Sequence, residues 1–281
     1  HCSYCTVPLA RGKSRNPAVS EIVAAAEKIV AGGVMEIVLT GVNVGDFGKS
    51  TGESLGQLLE SLTKVNGLQR LRLSSIEPNL VTDRIIDIIS EGKVLLPHFH
   101  MPLQSGNDRV LGLMRRRYRR EVFRDRVMKI RERIPDAGLG ADVIVGFPGE
   151  TEEDYADTYT FLESLPLSYL HVFAYSPRPG TPAAEMPGAV NRQEKEKRSR
   201  QLIRLSESRR MQFMRNASGE VHEVLFEKRG HDGTVAGLTG NYIRVMTPWV
   251  KGLPGSIRQV RLTTLRDDSS MNCELTDKEA Q

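Results

Sequence analysis

Short apolar runs alternate with helical stretches through the first 175 residues, and this alternation limits the fold more than any other feature of the chain. The runs are Glu36-Ile37-Val38-Leu39-Thr40, Leu71-Arg72-Leu73-Ser74, Phe99-His100-Met101, Val143-Ile144-Val145 and Leu170-His171-Val172-Phe173. Two of them stop at a glycine, Gly41 and Gly146. Between them, helical spacing covers 21–31, 53–65, 82–90, 107–114, 119–133 and 151–164. Runs this short read as strands, and the intervening helices are long enough to return the chain for parallel pairing. Repeated parallel βα units close into a barrel or wind into an open sheet. About five strands, plus whatever pairs with the amino-terminal segment, fall short of eight and predict a partial barrel. Parallel α/β folds work at the carboxyl ends of their strands, so the loops after Thr40, Ser74, Met101 and Val145 are the places to look.

After Tyr175 the texture changes. Residues 176–191 carry Pro177, Pro179, Gly180, Pro182, Pro187 and Gly188, a linker composition. A basic helical stretch follows, with nine basic against three acidic residues over 192–215. From Gly219 four short strands are expected, at 221–226, 234–236, 242–245 and 257–262, enough for a small all-β barrel. The expected division is 1–190 partial barrel, 191–218 basic connector, 219–266 β-barrel and 267–281 polar, frayed tail. No apolar run approaches the roughly 18 residues of a membrane span, so no membrane partner is expected. Three cysteines, Cys2, Cys5 and Cys273, exclude a disulfide framework and favour a reducing, cytoplasmic setting. Cys273 falls in the tail and is assigned no role. Residues 109–133 hold eleven basic residues against three acidic, which suits a polyanion. Within them, Arg115, Arg116 and Arg117, next to Tyr118, are the candidate nucleic-acid contacts.

The chain opens His1-Cys2-Ser3-Tyr4-Cys5. Two thiols three residues apart can grip one metal or cluster from a single loop, although alone they could equally be half a zinc site, a redox pair or unligated. No second CxxC or HxxxH follows to complete a closed zinc site. Other motifs have a plain and a functional reading. Thr40 and Asn43 flank the turn at Gly41 and offer polar groups to a ligand. Ser75, Glu77 and Asp142 sit at expected strand ends, where a carboxylate accepts from an ammonium or a ribose hydroxyl; such carboxylates are also ordinary caps. Gln104-Ser105-Gly106 could contact a cofactor or begin a helix. Gly146-Phe147-Pro148-Gly149 could lay backbone against an adenine, or simply turn the chain toward a helix capped by Thr151. His98 and His100 share a strand face, and packing with local hydrogen bonds is favoured over metal ligation, for want of an acidic or thiol partner. Trp249 could stack on a base or close the small barrel.

Taken together with Thr6-Val7-Pro8 and Arg11-Gly12, the cysteine pair resembles the end of the CxxxCxxC loop of radical S-adenosylmethionine (SAM) enzymes. The segments Leu39–Val44, Arg72–Pro78, His100–Asp108 and Asp142–Thr151 resemble, in order, the loops of radical SAM methylthiotransferases, and the closing β domain resembles their RNA-binding TRAM domain. The resemblance implies an α/β fold: a partial (β/α) radical-SAM barrel followed by a small all-β TRAM barrel. It implies Cys2 and Cys5 as ligands of a 4Fe–4S cluster whose open iron chelates SAM, with a third cysteine three residues before His1. It implies SAM contacts from Tyr4, Asn43, Ser75, Glu77, Gln104, Asp142, Gly146, Phe147 and Pro148. A preceding domain would carry a second 4Fe–4S cluster as sulfur source, so this chain alone would not complete turnover.

The family chemistry replaces a C–H bond with C–S–CH3. Gly240-Asn241-Tyr242-Ile243-Arg244-Val245 resembles most the branch acting on C2 of N6-threonylcarbamoyladenosine beside the tRNA anticodon. The alternatives are isopentenyladenosine in tRNA, an aspartate of a ribosomal protein, simple methyl transfer, or an RNA-binding module without catalysis. The expected partners are the tRNA anticodon stem-loop and an electron donor, with no DNA.

Overall fold

The computed structural model describes residues 2–12, 15–229 and 233–276. It divides into two compact units between Leu205 and Ser206. The first holds five parallel strands: β1 (Glu36–Leu39), β2 (Arg70–Leu73), β3 (His98–Gln104), β4 (Gly138–Val145) and β5 (Tyr169–Ala174). β1 pairs with β2, and β3, β4 and β5 pair in series. A single parallel bridge from Leu71 to Leu95, with the Ile76 N–H donating to His100 O at 3.0 Å, joins the two groups. The result is the expected arc of a partial barrel. Around it lie α1 (Val7–Arg11), α2 (Val19–Ala31), α3 (Leu55–Leu62), α4 (Asp83–Glu91), α5 (Asp108–Leu113), α6 (Arg120–Arg133) and α7 (Glu152–Glu163).

The side-chain period of a strand is two, and this barrel divides its faces accordingly. Leu71, Leu73, Phe99, Met101, Leu103, Leu139, Ala141, Val143 and Val145 are buried in one core with Leu58, Leu62, Ile86, Phe123, Val127 and Leu162 of the helices. The alternate positions point the other way and include a polar set: Glu36, Arg70, Arg72, His98, His100, Asp142, Tyr169 and His171. Parallel strands usually read as apolar on both faces, so a polar inner face marks this barrel as something other than packing.

The helix starts follow local chemistry. Ser54, Thr82 and Asn107 cap α3, α4 and α5 by accepting from backbone N–H groups. Thr151 and Asp154 form a reciprocal capping box on α7. α8 (Arg192–Asn216) runs across the boundary between the units. Its first half is less free to meet a polyanion than its charge suggests. Arg198 is buried and paired with Glu150, Glu152 and Glu194 at 3.0, 3.0 and 3.1 Å, and Leu202 lies in the core.

The second unit is a closed five-stranded barrel of β6 (Val221–Arg229), β7 (Thr234–Thr239), β8 (Arg244–Pro248), β9 (Ile257–Leu265) and β10 (Met271–Leu275). Two expectations are corrected. The strand expected at 242–245 begins at Arg244, because Tyr242 adopts a left-handed turn with φ of 75°. The stretch expected to fray from 267 instead supplies β10, antiparallel to β9 and parallel to β8. Met271 and Cys273 alternate into the barrel core, and without them the sheet would keep two open edges. The rest of that tail, 277–281, lies outside the described residues.

The inner face is held by a carboxylate shared between two buried guanidiniums. Arg70 and Arg72 donate to the two oxygens of Glu36 at 2.7 and 3.0 Å. Burial alone would raise the Glu36 pKa; Arg72 and Arg70 override it and hold the carboxyl below its ordinary range. Glu36→Ala should therefore destabilise the first unit by about 3–5 kcal/mol, since it strips the counter-charge from two buried cations. Urea unfolding checks this, and a loss under about 1 kcal/mol would mean that water solvates the pair.

Candidate active site

The cysteine loop is fixed by its middle residue. Ser3 is buried; its N–H donates to Met114 O at 3.1 Å, its hydroxyl to Leu113 O at 2.8 Å, and its carbonyl accepts from Ala183 N at 2.9 Å. The Cys5 N–H donates to Cys2 O at 3.3 Å, so both thiols sit on one turn, half-buried and unbridged. Two thiol side chains presented from one rigid turn, with a cation beside them, fit as two ligands of an iron–sulfur cluster.

That cation is Arg116. Its guanidinium lies 3.0 Å from Cys2 Sγ, 3.2 Å from a Glu77 carboxylate oxygen and 2.9 Å from Tyr118 Oη. It covers the Tyr118 ring at 4.9 Å, and the Tyr118 hydroxyl donates to Pro102 O. Only 6% of the Arg116 side chain is exposed, so it is no surface RNA contact; Arg115 and Arg117 on either side of it are exposed. The local cause is the end of α5. Arg115 takes φ of 56°, and the Arg116 N–H donates to Leu111 O at 2.9 Å, a left-handed helix stop that swings the next side chain inward. Burial opposes the Arg116 charge, but Tyr118, Tyr4, Cys2 and Glu77 more than offset this and raise its pKa. Burial also pushes the Tyr4 and Tyr118 phenols up.

The loop after β4 packs against the cysteine loop. Phe147 meets Tyr4 edge-on at 6.1 Å and Tyr175 at 5.2 Å. Phe147 itself is wholly buried, so only the backbone of Gly146–Pro148 is left to face a ligand. Gly146 holds φ of 71° and donates its N–H to Glu150, whose carboxylate also meets Arg198. Arg109 donates to Gly149 O at 2.6 Å and to Asp154, tying the loop to the α7 cap.

Not every expected contact converges. Gln104 ends β3 at a register shift with a left-handed φ of 71°, a conformation that non-glycine residues rarely hold without a reason. Asn43 lines a cleft of about 650 Å³ with Pro8, Arg11 and Gly12, just beyond the cysteine loop. Its Oδ1 is buried without a hydrogen-bond partner among the described residues, as is the Ser74 hydroxyl. Ser75, the serine chosen from sequence, is exposed; the period-two alternation puts Ser74 on the side of Arg70 and Arg72. Glu77 has its carboxylate on Arg116. Asp142 lies inside β4, three residues before its end, with one oxygen 2.8 Å from His100 Nε2 and 3.4 Å from His171 Nδ1. Burial would raise its pKa, but the two imidazoles hold it well below the carboxylate range. His98 and His100 do make the local hydrogen bonds favoured from sequence, to Tyr169 Oη at 2.8 and 3.1 Å. Burial, with Arg72 nearby, pushes His98 down to about 3. The acidic partner held to be missing is Asp142. Sequence reasoning assigned Arg116 to RNA rather than to the cysteine loop, and overlooked Tyr118, Tyr169 and His171 as site residues. The polar residues spaced two apart in Arg70/Arg72, His98/His100 and Tyr169/His171 were the signal for the inner face.

The radical SAM superfamily matches residues 1–162. The chain belongs to that superfamily. Radical SAM proteins work with a 4Fe–4S cluster and S-adenosylmethionine. Among curated proteins, the chain is similar to the threonylcarbamoyladenosine tRNA methylthiotransferase MtaB of Bacillus subtilis (strain 168), 38% identical over 93% of this chain and 59% of that one. It is also similar to the tRNA-2-methylthio-N(6)-dimethylallyladenosine synthase of Thermobifida fusca (strain YX), 43% identical over 73% of this chain and 42% of that one. The chain thus spans about half the length of the curated relatives it matches. Two radical SAM structures share the fold. One is the methyltransferase TsrM of Kitasatospora setae (TM-score 0.56, 20% identity, 66% of this chain and 36% of that one). The other is the coproporphyrinogen III oxidase HemN of Escherichia coli (TM-score 0.54, 15% identity, 86% and 60%).

The loop from Gly146 to Asp154 carries a pH dependence. The hydrogen bonds from Arg109 lower the Asp154 pKa to about 2, with Thr151 adding to the effect. A depressed carboxyl stabilises the fold above its unfolded pKa of about 3.9, and that contribution fades as pH falls toward 2. Asp154→Asn should therefore be less stable than the parent at pH 7, and the gap should close between about pH 4 and pH 2. Thermal unfolding across that range checks it; a gap constant with pH would show that the cap, not the charge, carries the effect.

Proposed function

We propose that the chain is the radical SAM core and RNA-binding barrel of a tRNA methylthiotransferase that modifies C2 of N6-threonylcarbamoyladenosine beside the anticodon. The observation that carries this is the Cys2–Cys5 turn locked to Arg116 at the mouth of a polar barrel, in a chain 38% identical over 93% of its length to a threonylcarbamoyladenosine tRNA methylthiotransferase. Cys2 and Cys5 hold the cluster together with a third thiolate. When bound, that cluster supplies the electron for reductive cleavage of S-adenosylmethionine. Arg116 lends positive charge to the Cys2 thiolate and holds Glu77 in place. Asn43 Oδ1 and Ser74 Oγ, buried and without hydrogen-bond partners among the described residues, are polar groups left for SAM; Gln104 and the Gly146–Pro148 backbone are the further contacts proposed. Tyr4, Phe147 and Tyr175 pack together beside the cysteine loop and shield that side of it from water. Sulfur comes from a second cluster on a preceding domain. An unbridged thiol pair and a tRNA substrate suit the cytoplasm.

A second reading, the dimethylallyl nucleoside, is favoured by the 43% identity to the Thermobifida fusca synthase. Mass spectrometry of tRNA nucleosides from cells lacking the full-length protein separates the two. Loss of the methylthio group from threonylcarbamoyladenosine alone supports the first; loss from dimethylallyladenosine supports the second. Cys2→Ala or Cys5→Ala in the full-length protein should reproduce the deletion.

Two further outcomes are expected. In the cluster-loaded protein, Arg116→Gln should lower the reduction potential at the cysteine loop by about 60 mV, the equivalent of a tenfold change for one electron. Redox titration followed by electron paramagnetic resonance measures this; an unchanged potential would leave Arg116 a packing residue. RNA is gripped by exposed Arg115 and Arg117 and by the small barrel, where Arg244, Lys251 and Arg258 are exposed and Tyr242 and Trp249 are 46% and 40% exposed. Trp249 is outside the buried barrel core and partly exposed. Replacing Arg115 and Arg117 by Ala should lower the slope of log affinity against log salt for an anticodon stem-loop by about 1.4. A flat salt response in the parent would remove RNA as the partner.

A further inference from the structure

His100, Asp142 and His171 come from three adjacent parallel strands, β3, β4 and β5, and aim one donor each at a common point on the inner face. Asp142 Oδ1 is 2.8 Å from His100 Nε2 and 3.4 Å from His171 Nδ1, and all three donors lie within 4.8 Å of one another. Bonds of about 2.0–2.1 Å to a first-row divalent ion put neighbouring donors about 2.9 Å apart in octahedral and about 3.4 Å apart in tetrahedral coordination. The two observed separations, 2.8 and 3.4 Å, span that interval. The third pair needs a small rotation of His171, whose side chain is 49% exposed and free to make it.

The surroundings are those of a ligand set. A metal-bound imidazole usually donates its other N–H to an outer partner, which fixes tautomer and ring orientation. His100 Nδ1 has such a partner in Tyr169 Oη at 3.1 Å, and Tyr169 is itself held by His98 Nε2 at 2.8 Å. The Tyr169 ring reaches both histidines across Gly140, the β4 residue in register between His100 and Tyr169. A Cβ on Gly140 would lie 2.3 Å from that ring, so only glycine leaves the passage open. The nearest fixed cations on this face, Arg70 and Arg72, share the Glu36 carboxylate, which offsets one of their two charges. One face of the cluster stays accessible, because Asp142 and His171 are partly exposed.

We propose that His100, Asp142 and His171 form a two-histidine, one-carboxylate site for a first-row divalent metal ion inside the barrel, distinct from the cysteine loop. Three protein ligands leave coordination positions open on the partly exposed side of Asp142 and His171, the arrangement of a Lewis-acid rather than a closed structural site. Those positions suit a carboxylate or ring-nitrogen donor of a bound substrate. The site does not depend on the methylthiotransferase reading, since its ligands come from the strands alone.

The test uses Co²⁺ as the probe and the Cys2→Ser/Cys5→Ser form of the chain, which removes competing thiolates. One equivalent of Co²⁺ should bind, with visible d–d absorption and no sulfur-to-metal charge-transfer band. His171→Ala and Asp142→Asn should each weaken binding at least about 100-fold, and Tyr169→Phe about tenfold through loss of the outer partner. His171 is half-exposed, so its removal should leave the circular dichroism spectrum intact, and the result does not hinge on a folding defect. Absent absorption at millimolar Co²⁺, or equal affinity in the parent and His171→Ala, overturns the site and leaves a hydrogen-bonded cluster only. If the nucleoside analysis fails while Co²⁺ binding follows this pattern, the metal site stands and the substrate assignment falls.

Discussion

Charge enclosed within a β-barrel sets the terms for the whole first unit. A buried guanidinium without a counter-ion costs several kcal/mol, and this barrel buries two within one strand, at Arg70 and Arg72. Glu36 on the neighbouring strand answers both, one oxygen each. That arrangement fixes the β1–β2 register, because Glu36 stands opposite Arg70 and a slip of one residue would turn it to the apolar face. Folding energy then comes almost entirely from the outer face, where Leu, Ile, Val and Phe pack against the helices. The inner face is released from packing, and chemistry can be written on it.

The same division explains how the cysteine loop is held. The four-residue turn Cys2–Cys5 has too little of its own to stay rigid, so its stiffness is borrowed. Ser3 takes three backbone partners at once, two from the end of α5 and one from the turn at Ala183. The left-handed residue Arg115 ends α5 and aims Arg116 at Cys2 and Glu77. One helix stop thus does two things: it presents the carbonyls that clamp Ser3 and delivers the cation that faces the thiol. The loop after β4 closes the other side through Phe147 against Tyr4.

Periodicity showed the five strands, the helices and the class of fold, because apolar spacing is a local property. The cysteine spacing and the ordered loops likewise pointed to the site's chemistry. What escaped depended on direction. Arg116 sits in a run of basic residues, and nothing local reveals that a positive φ one residue earlier turns it inward. Ser74 and Ser75 differ only in which face they take, which the strand register decides. Asp142 looks like a strand-end carboxylate until β5 brings His171 opposite it. β10 was missed because Asp267, Asp268 and Ser270 give it a polar approach; only the barrel's need for a closing strand recruits Met271 and Cys273.

The two units bury separate cores, one around the outer strand faces and one inside the small barrel. Phosphate binding needs exposed charge that water can screen, whereas a radical site needs water kept away. A single surface cannot be optimised for both. Here the exposed cations Arg244, Lys251 and Arg258 sit on the small barrel, while Arg116, almost wholly enclosed, serves the cysteine loop. On the function proposed above, substitutions on the small barrel tune RNA affinity and leave the Cys2–Arg116–Glu77 contacts undisturbed. Separate cores give this independence a physical basis: couplings between sites with no shared packing are small.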